Sequence, residues 1–522
     1  NYSITDQTST TADITPKGIT ITAVHNTKDY DSNQSAAAVP VYNGLQVGDT
    51  FTTLKEIYDS KTAGTGKTLI PEAVISDGNS GNNYLVTYVN DTSGVINPGQ
   101  TVTGSIGPTG AGQMIHFAVD GKILVDDAIA DSTGNYSAMF PLNSIKGGNT
   151  LLAYLEGGIT KSASVYASSG GNITGMNLVP ETVSAIGGSQ MLSNTLLGLA
   201  KGGILSADIP FIVSGADLTL DNGIGFTTSG NYIINGAITT QNASQVYGGP
   251  MTLPVNAVLT AAGAGSITFA APVTSSGYHL TVLAAGNIVL NGHIDVNSGI
   301  VSLNSSGGAI INGMGSQRSI SAESLFAYAA NGIGSGDPLM TGVHNLTAVN
   351  TRTNHIAIDN TGILAVGALR NEGAGDVILQ NIGAITTSSE NVSSAGGNVS
   401  ITAHSPLTIG TGGVSAYKNI ALVASPSGGS DNLTLNGRIS STEGNINLHA
   451  GNQVIFGAGA SVSAPHGTIV VKEEGKPTPA EEEQSKASDE TVNALTTSVA
   501  KIESVESGKS QEDQDDKKDK ED

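Results

Sequence analysis

Cysteine is absent from the 522 residues, and so is tryptophan. Without cysteine there are no disulfide staples, no thiolate metal sites and no cysteine nucleophile. Charged residues are 13 % of the chain, about half the usual ~25 %. That excludes a charge-dominated disordered chain for most of the length. Basic residues are scarce, with 22 Lys and Arg against 44 Asp and Glu and a net charge of −22. Such a balance disfavours nucleic acid, whose phosphates need neutralising cations. It also disfavours an anionic membrane surface. No apolar run approaches the ~18–20 residues of a membrane helix. The nearest, Leu196 to Leu205, is interrupted by Lys201. No basic region followed by an apolar stretch opens the chain, so no signal peptide is read there. Long runs with a 3.6-residue period are also missing, which leaves helix with little support.

Glycine, in contrast, is abundant, at 68 residues. Much of it sits in one returning phrase: a glycine, a small or polar residue, then alternating apolar positions. The phrase occurs at Gly265-Ser-Ile-Thr-Phe269, Gly286-Asn-Ile-Val-Leu290, Gly308-Ala-Ile-Ile311 and Gly375-Asp-Val-Ile-Leu379. It returns at Gly397-Asn-Val-Ser-Ile401, Lys418-Asn-Ile-Ala-Leu422, Gly444-Asn-Ile-Asn-Leu448 and Gly467-Thr-Ile-Val-Val471. The steps are 21, 22, 67, 22, 21, 26 and 23 residues, and 67 is about three steps of ~22. A second phrase, Asn-Gly, follows apolar positions at Asn235, Asn291, Asn312 and Asn436. Asn-Gly tolerates positive φ and turns a chain sharply. It is also a hairpin signal, but a hairpin meander has no reason to keep a ~22-residue beat. The period therefore predicts a β-solenoid. Ile267, Ile288, Ile310, Val377, Val399, Ile420, Ile446 and Ile469 are expected to face inward on equivalent rungs.

The expected fold class is all-β. Small β-domains precede a parallel β-helix over 209–471, about 12 coils and a rod of about 55–60 Å at the ~4.8 Å strand spacing. Residues 1–16 repeat 83–98 at an offset of 82, with Asn, Tyr, Ile and Pro among the identical positions. They are read as the end of a preceding repeat, and the chain as the C-terminal part of something longer. Residues 17–98 form one complete unit. Residues 99–167, with short alternating strands and the hairpin signal Asp120-Gly121, suggest an Ig-like sandwich. Residues 168–208 read as a junction or solenoid cap. Residues 472–522 hold 16 Asp and Glu against 8 Lys and read as an acidic disordered tail. Within it Val492, Leu495, Val499, Ile502 and Val505 outline a helix over 489–505, with Ser488 or Asp489 as its cap. Two roles stay open for the tail: a mobile chain whose charge repels other rods, which is favoured, or a helical lid folded back on the last coil.

Two resemblances follow from these words. The unit 17–98 carries Ile19-Thr-Ile-Thr-Ala23, Lys28-Asp-Tyr30-Asp31, Gly44-Leu-Gln-Val-Gly48-Asp49-Thr50, Tyr58-Asp59-Ser60-Lys61, Ser76-Asp77-Gly78 and Asn83-Tyr84. It resembles the YDG-type repeat of large filamentous-haemagglutinin-like bacterial exoproteins, departing at Ser32, where the family word has Gly. Phrases such as Gly444-Asn-Ile-Asn-Leu-His-Ala450 resemble the right-handed parallel β-helix of filamentous haemagglutinins secreted by the two-partner pathway. Their secretion domain, with its Asn-Pro words, is not in this chain. The resemblance implies a secreted or cell-surface adhesin of a Gram-negative bacterium, on the outer face of the outer membrane. It implies attachment or biofilm-matrix contact through an extracellular polysaccharide, a host-surface glycan or self-association. An outer-membrane secretion or anchoring partner would engage the tail. No membrane insertion is expected, because the tail lacks the strands of an outer-membrane barrel.

Chemistry is sparse. Gly64-Thr-Gly66-Lys67-Thr68 resembles a phosphate loop, but position 61 is Lys where the pattern needs Gly. It reads as a hairpin turn. Gly373-Ala-Gly375-Asp376 resembles half of a calcium-binding nonapeptide and does not recur. Solenoid acids such as Glu323, Asp359 and Asp376 fall in different coils, and the nine histidines are scattered. The expectation is therefore no enzyme, no catalytic, cofactor-binding or metal residues, and no cofactor. The alternative is a polysaccharide-degrading β-helix lyase or hydrolase, whose acids would have to gather across coils.

Overall fold

The computed structural model describes residues 2–3, 15–158, 160–188, 190–426 and 429–474. The helix expected at 489–505, and most of the remnant expected at 1–16, lie outside them. Two compact units divide the chain, Asn1–Gly157 with Ser168–Asn177, and Gly158–Ala167 with Leu178–Asp522.

In the first unit, Lys17–Thr22 lies between Val41–Asn43 and Tyr84–Val89 in a three-stranded sheet. A four-stranded sheet orders Thr27–Asp29, Asp91–Asn97, Gly64–Ser76 and Thr50–Tyr58. Alternation fills the cores, one with Ile19, Ile21, Ile75 and Tyr84, the other with Tyr30, Tyr58, Leu69 and Ile96. The Tyr58 hydroxyl is buried and reaches the carbonyl oxygens of Asn26 and Val95 at 2.9 and 3.1 Å. Asp77 closes the turn before Tyr84 by accepting from the amides of Asn79, Gly81 and Asn83. The phosphate-loop look-alike is the start of the strand Gly64–Ser76, not the turn expected for it. Lys67 there is spent on Ser60 and on Asp59, the latter at 3.4 Å.

Downstream, Gln100–Ser105 pairs antiparallel with Asn135–Phe140, and Met114–Val119 pairs antiparallel with Gly147–Leu155. Phe117 joins these two sheets edge-on to Phe140, with ring centroids 5.3 Å apart. Asp120-Gly121 makes the two-residue turn its sequence signals, both at positive φ, with Val119 opposite Lys122. Ser32 takes φ 66, the conformation in which the family word places glycine. Its hydroxyl donates to the buried carboxylate of Asp126, which Lys61 also pairs at 2.6 Å.

The second unit is a parallel β-helix of about 14 turns. One turn runs Ile267–Phe269, Val273–Ser275, Leu280–Ala284, and the next runs Ile288–Leu290, Ile294–Asp295, Ile300–Ser305. Each of these strands is parallel to and in register with its counterpart one turn on, which excludes the hairpin alternative for the repeated turns; earlier in the unit, Phe211–Ser214 pairs antiparallel with Asp217–Asn222. One inward column runs the length of the stack: Ala163, Val183, Phe226, Gln245, Ile267, Ile288, Ile310, Ile333, Ile356, Val377, Val399, Ile420, Ile446, Ile469. All eight residues expected on equivalent rungs fall on it. Seven are buried, while Ile469, paired with Ile446, is 46 % exposed. Parallel stacking already starts at Ser162–Ser169, before the 209 read from the sequence. The helix Asn194–Lys201, N-capped by Ser193, lies among the first turns.

The residue before each column position explains the Gly-Asn-Ile phrase. From Ser244 on, where that residue is Ser, His, Asp or Asn, its side chain accepts the amide of its counterpart one turn later. Asp376 takes the amide of Asn398 at 2.7 Å, Asn398 that of Asn419, Asn419 that of Asn445, and Asn445 that of Thr468. Ser266 and Asn287 do the same earlier in the stack. Corner amides that the ladders leave over are thereby satisfied. The corner glycines have a different reason from the one expected. Gly236, Gly292, Gly313 and Gly437 do not take positive φ. A Cβ at Gly292 would instead collide with the Ala271 carbonyl one turn back. Close approach of coils, rather than turn conformation, demands glycine there.

Candidate functional site

The regular three-strand turn changes in the middle of the solenoid. Ile320–Ala329 and Leu339–Asn350, of 10 and 12 residues, replace two short strands and the corner between them. They pair in parallel from Ile320 opposite Thr341 to Ala329 opposite Asn350, giving one broad face. On Ile320–Ala329, Leu325, Ala327 and Ala329 point inward. Alternation then sends Phe326 and Tyr328 outward, 37 % and 39 % exposed. Ser302 and Thr347 stand in register on either side of Phe326, and Asn304 and Val349 beside Tyr328.

The next strand, Leu364–Asn371, carries a bulge. Leu346 is opposite Val366 and Ala348 opposite Leu369, so Gly367 and Ala368 together face Thr347. Bulges kink a strand and are common beside functional sites. A Cβ at Gly367 would sit 2.7 Å from the Thr347 hydroxyl oxygen, so the missing side chain keeps the depression open. The result is a groove of about 310 Å³ lined by Phe326, Asn345, Thr347, Val366, Gly367 and Thr387, among others. Its walls are mostly carbon, with hydroxyl and amide groups between them. On the same strands Glu323 pairs with His344 at 3.2 Å, and Arg370 follows Tyr328 and Val349 in register.

The solenoid acids go elsewhere. Burial pushes the Asp359 carboxyl up, but its in-register neighbours are Met340 and Gln380, not a second carboxylate. Burial alone would raise Asp376 too. The His355 ring and the Asn398 amide groups overcome that and hold it below the ordinary range. Its carboxylate is a rung of the corner ladder, which accounts for the calcium-like word. Among the described residues no three His, Asp or Glu side chains gather as metal ligands.

No site residue was expected from the sequence, and the signal for this one was available. Phe326 and Tyr328 stand two apart around Ala327, in a chain with only 4 % aromatics. The bulge had no such signal, because Gly367 looks like any corner glycine.

Residues 15–93 match the YDG domain family, in agreement with the unit read at 17–98. No curated protein and no solved structure is matched. A YDG domain followed by a parallel β-helix fits a structural or adhesin-like surface protein.

Proposed function

We propose that the chain is a non-enzymatic structural and adhesive part of a bacterial cell-surface exoprotein, of filamentous-haemagglutinin type, and that the central groove binds an extended, neutral glycan. The exposed Phe326–Tyr328 pair beside the bulge carries this reading. Sugar rings present C–H faces that pack on aromatic rings, and hydroxyls that pair with Thr347, Asn345 and Asn304. The depression is shallow and mostly apolar, with a few polar groups to fix orientation. A neutral ligand suits a chain of net charge −22, which repels polyanionic sugars. A matrix polysaccharide and a host-surface glycan both meet these requirements.

The test is a glycan-array screen of the parent chain and of Phe326→Ala and Tyr328→Ala, run beside a reducing-sugar release assay on the same sugars. Binding to a neutral glycan, weakened about tenfold by either substitution, supports the reading. Binding that ignores both substitutions removes the groove from it. Release of reducing ends would replace it with the polysaccharide-degrading alternative.

A further inference from the structure

The central groove crosses strands instead of following one. Phe326, Thr347, Val366 and Thr386, all in its lining, stand on the strands Ile320–Ala329, Leu339–Asn350, Leu364–Asn371 and Ile385–Thr387. Each of these pairs in parallel with the next, so the groove spans four successive turns. Three spacings of ~4.8 Å give it a length of about 14 Å along the solenoid axis.

Register carries its floor further. Asn345, Ala365 and Thr386 form one outward column, and the next two turns place Thr408 and Thr434 on it. Alternation keeps these threonines outward: Leu407 and Ile409 are fully buried on either side of Thr408, and Leu433 and Leu435 on either side of Thr434. Among the described residues, the hydroxyls of Thr386, Thr408 and Thr434 have no hydrogen-bond partner. At one end the groove therefore opens onto a line of unpaired hydroxyls, one to a turn.

We infer, on the glycan reading of the groove, that the bound chain lies along the solenoid axis with one sugar to a turn, from Phe326 past Thr347 and Thr386 toward Thr408 and Thr434, and that it is an extended β-1,4-linked glycan. A pyranose linked equatorially at both ends advances by nearly one strand spacing, ~4.8 Å, so successive rings meet equivalent positions of successive turns. Outward side chains along a single strand recur every ~6.6 Å and fall out of step with such a chain. The Phe326 ring packs under the first sugar, and the missing side chain of Gly367 gives the glycan depth two strands on. Thr386 and Thr408 then each pair with a sugar hydroxyl. An α-1,4-linked glucan coils and leaves this line.

Calorimetric titration of the full chain tests it. The probes are neutral β-1,4-linked oligomers of glucose, mannose and N-acetylglucosamine, from the disaccharide up to about six sugars, with α-1,4-linked glucose oligomers as the coiled control. Affinity rises with each added sugar to about five or six in a β-1,4 series and stays flat in the α-1,4 series. Thr386→Val keeps the branched shape and removes the hydroxyl. It weakens oligomers of about four sugars and longer roughly fivefold, and Thr408→Val weakens only those one sugar longer. Both variants bind the disaccharide as the parent does, whereas Phe326→Ala weakens every length. Affinity that stops rising at the disaccharide, α-1,4 oligomers that bind as tightly, or threonine variants that match the parent at every length would overturn the axial chain. If Phe326→Ala still weakens the disaccharide in that case, the groove reading itself stands. No binding in any series, or binding indifferent to Phe326→Ala, would overturn both.

Discussion

Truncating Ile288 to alanine should cost far more than truncating Ile469, although both occupy the same column. Ile288 stands between Ile267 and Ile310, in register with each, and all three are fully buried. Ile288→Ala removes three carbons, worth about 2.4 kcal/mol at ~0.8 per buried CH₂. The backbone ladders above and below hold the turn in place, so the hole collapses little and a cavity cost adds to the transfer loss. The expected total is about 3–4 kcal/mol. Ile469 is 46 % exposed and, among the described residues, has a column neighbour on one side only, Ile446, so Ile469→Ala forfeits about half of the transfer term and no cavity, roughly 1 kcal/mol. Ile446→Asp is intermediate in kind. A buried unpaired carboxylate costs several kcal/mol, but peeling off the last described turn exposes it to water and limits the penalty to the coupling of that one turn. Urea unfolding followed by far-ultraviolet circular dichroism measures all three, since the chain has no tryptophan to report. Equal losses for Ile288→Ala and Ile469→Ala, or a loss below about 1 kcal/mol for Ile288→Ala, would refute the inward stack.

Two further outcomes are expected in the first unit. Burial, then the charge of Asp91, raises the Glu56 carboxyl, against the Val24 amide that it accepts. A raised acid favours the folded state at low pH, and this advantage is lost as pH climbs from the ordinary glutamate range through the raised value. Glu56→Gln should therefore melt higher than the parent at pH 7 and lose that gain below about pH 4; a gain that persists in acid would contradict the assignment. Ser32→Ala keeps the left-handed strain and loses the bond to Asp126, whereas Ser32→Gly loses the bond and relieves the strain. Glycine should end above alanine by about 1 kcal/mol in thermal unfolding, and the reverse order would mean that φ is not what this position demands.

Much of the solenoid was legible because its physics is local and repeated. A ~22-residue beat with Ile or Val at one phase can satisfy a buried column only by stacking on itself, so all eight rungs followed from the sequence. The first turns were not legible. Val183 and Phe226 hold column positions without the Gly-Asn-Ile words, and a helix intervenes. The corner glycines were found for the wrong reason, because closeness between coils leaves no local trace, whereas positive φ does at Asp120-Gly121. The groove depends on two strands running through a corner and on one extra residue opposite Thr347. Both are relations between turns, and nothing within one turn announces them.

The corner ladder has a consequence for how this chain changes in evolution. Each side chain from Asp376 to Asn445 serves an amide in the following turn, so a turn is complete only with its neighbours. Duplicating or deleting one whole turn restores every such contact and every inward rung. A single residue added within a strand must be absorbed as a bulge, as at Gly367 and Ala368, or it turns the residues beyond it to the opposite face and breaks the ladder on both sides. Length in this molecule should therefore vary in whole turns, with smaller changes confined to bulges and to the segments between strands.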